Sequence, residues 1–382
     1  MLNEKIAVFL NDIRKKNLFR EPKVYENACG TELIFQNKVY QNFASNNYLN
    51  LAESDRLKDA SIQATKKWGA SASASRLITG TLALTEELEY RVAQFKGKPE
   101  GLVFNSGYTA NLGTLQALNF CKPLFLVDKF AHASIIDGLQ FANASFKRFK
   151  HNDYIHLEKL IKAHSEEEII WVVVDSVYSM DGDVADLETL ITLKKRYPNV
   201  YLYVDEAHAT GIQGKTGKGL TEGFSEIDVI MGTFSKGLGS YGAFLALSSE
   251  LKTLVQNISR PFIYTTALSP GVLGANIEAL KCIEDHPEWG VELLKKSQKF
   301  LKELNRLGYN TMNSSTQIIP IVMDTNERAI QLADYLKQEG VWTLPIRTPT
   351  VPVNTSRVRI TLQRKSTGLD RLLELLTEFE IR

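Results

Sequence analysis

Apolar positions along the chain fall into three regimes. At the start, Ile6, Phe9, Leu10 and Ile13 recur at helical spacing, with Lys15 and Lys16 near the end, which predicts an amphipathic helix. A strand–turn–strand pattern follows between Thr31 and Phe43. In the middle, continuous apolar runs of strand length alternate with helix-like stretches: Leu124–Val127, Ile169–Val174, Val200–Val204, Asp228–Met231 and Ala243–Leu247. Continuous rather than alternating apolarity predicts strands buried on both faces, hence a mostly parallel sheet covered by helices. From Pro287 onward a charged helix precedes strand patterns at Ile318–Val322 and Arg357–Leu362 and a closing helix at Leu369–Phe379. The expected organisation is an N-terminal helix and strand segment (1–45), a large α/β domain (46–286) and a smaller C-terminal α+β domain (287–382).

Composition narrows the class. Of 382 residues, 44% are hydrophobic and 23% charged, which is ordinary for a globular chain and excludes disorder, collagen and disulfide scaffolds. Lys and Arg number 45 against 44 Asp and Glu, a balance that gives no basis for nucleic-acid or membrane-surface binding. Cys29, Cys121 and Cys282 are scattered, with no C-x-x-C pair for zinc or redox chemistry. Without an apolar leader or a membrane-length apolar run, the expectation is a soluble cytoplasmic protein.

Ligands of open α/β sheets bind beyond the carboxyl ends of the strands. Three consecutive runs end in chemistry there: Asp175 to Gly182, Asp205-Glu206-Ala207-His208, and Gly232-Thr233-Phe234-Ser235-Lys236-Gly237. A carboxylate or lysine in such a place is ordinarily a cap or a solvated group. Together they match what pyridoxal phosphate needs. Lys236 can form a Schiff base, and Asp205 can face the pyridine nitrogen. Thr233 and Ser235 offer hydroxyls to the phosphate, and Ser106-Gly107-Tyr108 opens a helix whose N-terminus suits an anion. His132 can lie against the ring.

The combined motifs resemble the α-oxoamine synthase family of fold-type-I pyridoxal-phosphate enzymes, which share the aspartate-aminotransferase-like fold. The resemblance runs from Arg20 to the last helix. It rests on Asn46-Asn47-Tyr48-Leu49, Arg76 with Gly80-Thr81, Asn105 to Asn111, Asp128 to Ser134, Val177 to Gly182, Asp205 to His208 and Thr233 to Gly239. It implies that Lys236 is the Schiff-base lysine and moves the α-proton, that Asp205 pairs with the pyridinium, and that His208 bonds the ring hydroxyl. It further implies that His132 stacks on the ring and polarises the thioester, and that Ser179 lies at the ring edge. Gly107, Tyr108 and Thr233 reach the cofactor or its phosphate. Thr265 and Thr266 reach the phosphate of a neighbouring subunit, so a homodimer is expected. Arg347, with Asn47 assisting, is the expected carboxylate clamp.

The run Arg347-Thr348-Pro349-Thr350-Val351-Pro352, and His151-Asn152-Asp153, resemble the biotin-pathway branch of the family. That branch joins L-alanine to a pimeloyl thioester, carried on coenzyme A (pimeloyl-CoA) or on acyl carrier protein (pimeloyl-ACP), with loss of carbon dioxide. Arg20 and Thr350 are then expected near the acyl chain or its carrier. Two features depart from the family pattern: Gly69 to Ser75 is Ala/Ser-rich where relatives carry glycines, and Gln363-Arg364-Lys365 replaces Ala-Ala-His. Other branches remain open on these residues: a glycine and acetyl-CoA ligase, a serine palmitoyltransferase-like enzyme, or a synthase of longer α-aminoketones. From other classes, a non-catalytic scaffold and a helicase-type NTPase are weighed. The latter is spelled by Asp205 to His208 with Gly214-Lys215-Thr216, but its phosphate loop would overlap the acidic box. Arg357 and Arg359 alternate on a strand and are expected to face solvent.

Overall fold

The computed structural model describes residues 1–16 and 18–381. Near the N-terminus, β1 (Glu32–Phe35) and β2 (Lys38–Asn42) form a hairpin. Gln36 and Asn37 both take left-handed backbone, which matches the twist of a two-residue hairpin turn. The preceding helix Leu2–Lys15 is amphipathic yet has no buried residue.

Seven strands make the central sheet: β3 (Glu100–Phe104), β4 (Leu124–Asp128), β5 (Ser145–Phe149), β6 (Ile170–Asp175), β7 (Val200–Asp205), β8 (Val229–Thr233) and β9 (Ala243–Leu247). Their order is β3-β9-β8-β7-β6-β4-β5, and only β9 runs antiparallel to its neighbours. The continuous apolar runs have a direct cause in the packing. Val172, Val174, Leu202 and Val204 point into one buried layer, and Trp171, Val173 and Tyr203 into the other. Each face is roofed by helices, so both parities along a strand are apolar. Full burial of one such side chain stabilises by roughly 1.5–3 kcal/mol. The edge strands β3 and β5 were not among the predicted runs; β5 carries exposed Lys147 and Arg148, as an edge requires.

On one face, the helix Gly107–Leu118 packs against Ala133–Phe141. Gly138 makes this approach possible, since a Cβ there would stand 3.1 Å from Leu112 Cα and 3.2 Å from the Asn111 carbonyl. The C-terminal region contributes β10 (Ile318–Asp324), β11 (Val341–Trp342), β12 (Leu344–Ile346) and β13 (Ser356–Thr361). Strands β10, β13 and β12 form an antiparallel sheet, whereas β11 joins the N-terminal hairpin, parallel to β2. Phe43 then bridges the two: its N–H donates to the Trp342 carbonyl and its carbonyl accepts from Thr361 N–H. No described helix is long and apolar enough to cross a membrane.

Candidate active site

Parallel register brings the ends of β6 and β7 side by side, so that Asp175 lies opposite Asp205. Both carboxylates are buried. Burial, and then the Asp205 charge, push the Asp175 carboxyl well above the usual range. Asp175 Oδ1 accepts from His132 N–H at 3.3 Å, which places the start of the helix Ala133–Phe141 over this ledge. Asp205 is held by two donors. Asn111 Nδ2 donates to Oδ2 at 2.9 Å, and Ala207 N–H donates to Oδ1 at 2.8 Å. Asn111 is in turn oriented by the Tyr203 hydroxyl at 2.6 Å and Ser134 Oγ at 2.8 Å. Asp205 thus has a fixed direction before anything binds.

Lys236 follows β8 in the turn beyond Thr233. Its Nζ lies 2.7 Å from His208 Nε2. Burial, opposed by the Asp205 charge, lowers the ammonium pKa to about 8, a direction that favours a reactive amine. The turn is tied by Thr233 Oγ1, which donates to the Gly242 carbonyl and meets Ser235 Oγ at 2.8 Å. Ser106 caps the helix Gly107–Leu118 through reciprocal bonds with Thr109. The N–H groups of Gly107 and Tyr108, in the first helical turn, have no intrahelical acceptor and so suit a phosphate. The Tyr108 side chain is exposed and its hydroxyl donates to Asp137. The imidazole of His132 is exposed, with Nδ1 2.7 Å from Ser134 Oγ. Ser179 is half-buried in the turn after β6.

Lys236, His208, Asp205, His132 and Thr233 therefore converge on one ledge. The other expected residues are spread around it. Thr265 and Thr266 lie where Asn105 Nδ2 donates to the Thr266 carbonyl and Ser75 pairs with Thr266, beside the Ala/Ser-rich run. Arg20 and Thr350 are exposed. Arg347 is half-buried just past β12. Asn47 commits its amide to backbone, donating to the Cys29 carbonyl and accepting from Ala52 N–H.

One expectation needs correction. Arg357 and Arg359 do not face solvent; they are 1% and 8% exposed. Arg357 forms a buried ion pair with Asp181 at 2.7 Å, which ties β13 to the turn that carries Ser179. Arg359 donates to Asn46 Oδ1 at 2.6 Å, and its buried Nε has no partner among the described residues. Its charge also depresses Lys236 and His208. A buried, unpartnered guanidinium N–H whose charge is felt by the lysine suits a carboxylate. The signal in sequence was present but indistinct: alternating arginines on a strand look like a solvated edge. Asp175, Asn46 and Asn111 were legible only as members of motifs.

The acidic box has a structural second half. Glu206 accepts from Lys96 at 2.6 Å and from Thr221 N–H and Oγ1, and Thr216 is bonded to Glu222. His151 likewise lies outside the ledge, between Asp128 Oδ1 at 2.9 Å and Asp183 Oδ2 at 2.8 Å. Burial alone would depress its pKa, but the two carboxylates outweigh burial and raise it to about 10. A folded value above the unfolded one near 6.5 stabilises fully below 6.5, and that stability is lost as pH rises through about 10. The melting temperature is therefore expected to fall between pH 7 and 10. His151→Gln should melt lower at pH 7 and vary less over that interval; parallel profiles for the two proteins would refute the assignment.

The residues present fit pyridoxal phosphate: an amine of lowered pKa, an oriented buried carboxylate, an anion-ready helix start and an exposed imidazole meet on one ledge. Comparison with known proteins agrees. The Aminotransferase class I and II family matches residues 38–376. A Bacillus cereus (strain Q1) protein that bears the provisional name of an 8-amino-7-oxononanoate synthase is 42% identical, over 97% of this chain and 96% of its own. A Bacillus anthracis protein of the same name is 41% identical with the same coverage. Among solved structures, serine palmitoyltransferase from S. paucimobilis with bound PLP and myriocin superposes with a TM-score of 0.89 at 26% identity, covering 98% of this chain and 96% of that one. The 8-amino-7-oxononanoate synthase of Francisella tularensis gives 0.76 at 26% identity, over 89% of this chain and 97% of its own. The fold is the fold-type-I pyridoxal-phosphate transferase fold, and the chain belongs to the class I and II aminotransferase family, among its α-oxoamine synthases.

Proposed function

We propose that the protein is a pyridoxal-phosphate-dependent acyltransferase that condenses L-alanine with a pimeloyl thioester. The products are 8-amino-7-oxononanoate, carbon dioxide and the free thiol of coenzyme A or acyl carrier protein, a step of biotin synthesis. The observation that carries the reading is the arrangement of Lys236 on His208, near oriented Asp205, with the unpartnered Nε of Arg359 in the same electrostatic neighbourhood. The names borne by the relatives support the choice of branch.

Pyridoxal phosphate, when bound, supplies an electron sink for the negative charge that develops at Cα. Lys236 would hold the cofactor, Asp205 its ring nitrogen, His132 its ring face and Gly107, Tyr108 and Thr233 its phosphate. Ser179 and Ser235 would border it, and Thr265 and Thr266 would serve the site of a partner in a homodimer. Arg359 receives the alanine carboxylate through Nε, with Asn46 holding the guanidinium in place. Lys236 Nζ takes the proton from Cα and returns one after carbon dioxide leaves. His132, exposed beside the ledge, donates toward the thioester oxygen as the new carbon–carbon bond forms and the thiolate departs.

Thiol release with L-alanine and pimeloyl-CoA, run beside glycine and acetyl-CoA, tests the branch. Release only with the second pair would refute it. Arg359→Lys is expected to raise KM for L-alanine by roughly 10–100-fold, the effect of losing a charge-assisted bond, and to leave KM for the acyl donor near wild type. An unchanged alanine KM would return the carboxylate role to Arg347.

A further inference from the structure

We propose that Tyr48 is a positioning residue: clamped by Asn46 and Arg359, it holds His208 as the tautomer with its proton on Nδ1 and turns a bare Nε2 toward Lys236. The inference builds on the reading of Lys236 as the reactive amine, but it is fixed by atoms of this chain alone.

Donors and acceptors along the network fix the tautomer. A guanidinium has only donors. Arg359 Nη2 lies 2.6 Å from Asn46, so the amide must present its oxygen there. Tyr48 Oη lies 3.2 Å from the same Oδ1, which can only accept; the tyrosine gives it its proton. Burial pushes the Tyr48 phenol up to about 12, so that proton stays in place at neutral pH. Only lone pairs of Tyr48 are then left for His208 Nδ1, 2.6 Å away, and Nδ1 must carry a hydrogen. His208 is buried and faces Lys236, Arg359 and His132, all of which depress its pKa after burial itself. It is neutral and has one proton to place. Nε2 is therefore an acceptor, 2.7 Å from Lys236 Nζ, which at pH 7 has a proton to donate. Gln317 Nε2 fixes the residue from behind by donating to the His208 carbonyl. The opposite tautomer would set Nε2–H against an ammonium N–H and pull the Tyr48 proton off Asn46. An unmade bond in so buried a place is costly.

The consequence is a fixed polarity along Arg359, Asn46, Tyr48, His208 and Lys236. The carboxylate-receiving guanidinium and the amine that does the proton transfer sit at its two ends.

The test is two-bond 15N–1H correlation at pH 7 on the full-length chain labelled at histidine, with and without pyridoxal phosphate. Six histidines are present, and His208→Gln identifies the relevant signals by their loss. Wild type is expected to show Nδ1 protonated and Nε2 unprotonated in both states. Tyr48→Phe should move the majority to Nε2–H, and Asn46→Asp, which keeps the acceptor oxygen, should not. A wild type that is Nε2–H or doubly protonated overturns the proposal outright, as does a Tyr48→Phe protein that keeps Nδ1–H. Should Tyr48→Phe not fold, Asn46→Leu frees the tyrosine proton and is expected to cause the same switch; its absence would also overturn the proposal. None of these readouts depends on which acyl donor the enzyme takes, so failure here and failure of the thiol-release assay are distinct results.

Discussion

Lys236→Ala is expected to abolish the visible absorption band of the lysine-bound cofactor and to lower thiol release by at least roughly 10²–10⁴-fold, the contribution of proton transfer alone. The reason is local. Lys236 is the amine set against His208 Nε2, with Asp205 contributing to its electrostatics and burial depressing its pKa. The cofactor would still find its helix start and its carboxylate, so the variant is expected to bind pyridoxal phosphate reversibly. Dialysis should strip it, whereas wild type retains it. A variant that keeps the band, or that turns over at a rate close to wild type, would assign the chemistry to a different amine.

The second large effect concerns stability. Lys96 and Glu206 are 1% and 0% exposed and lie 2.6 Å apart. Lys96 also donates to Thr210 Oγ1 and to the Lys218 carbonyl, while Glu206 takes two bonds from Thr221. Burial pulls the Lys96 ammonium pKa down and Glu206 pulls it back up, so the charge depends on its partner. Lys96→Met leaves a buried carboxylate without its counter-ion and is expected to destabilise by about 3–5 kcal/mol. Adding Glu206→Gln should recover much of the loss. Urea midpoints for the single and double variants measure it. A single variant with the wild-type midpoint would show that water reaches Glu206. The loop from Gly211 to Gly223 hangs on this carboxylate, so the damage should extend to His208 and show in cofactor affinity.

How far the sequence could be read follows from what each residue is surrounded by. The β6, β7 and β8 runs were legible because burial on both faces removes every polar position from a strand. Their polar ends were legible for the same reason, since Asp205 and Lys236 stand where a long apolar stretch stops. The edge strands were not: β5 mixes Lys147 and Arg148 with Phe149, and period alone cannot tell that from a loop. Arg357 and Arg359 were misjudged because alternation reports the face of a strand but not what lies against it. There, Asp181 and Asn46 come from other parts of the chain. That Asn46 meets Arg359 could not be read from sequence, because neighbours in a turn point in different directions and the partner lies 313 positions away.

The stitching of β11 onto β2, and of Phe43 between Trp342 and Thr361, bears on how the protein is made. Asn46 and Arg359 are 313 positions apart, and Tyr48 stands between them and His208. Contacts of such separation form late, after the intervening loop has been closed at an entropic cost. During synthesis the central sheet can assemble while the ribosome is still extending the chain, and it would do so with its lysine in place but no partner for the early asparagine. The vitamin-derived cofactor would then meet a half-built pocket that lacks its arginine. Binding of the amino-acid substrate is thus expected to await release of the finished chain, and a chain truncated before residue 359 whose sheet folds and takes up pyridoxal phosphate should show no spectral response to L-alanine.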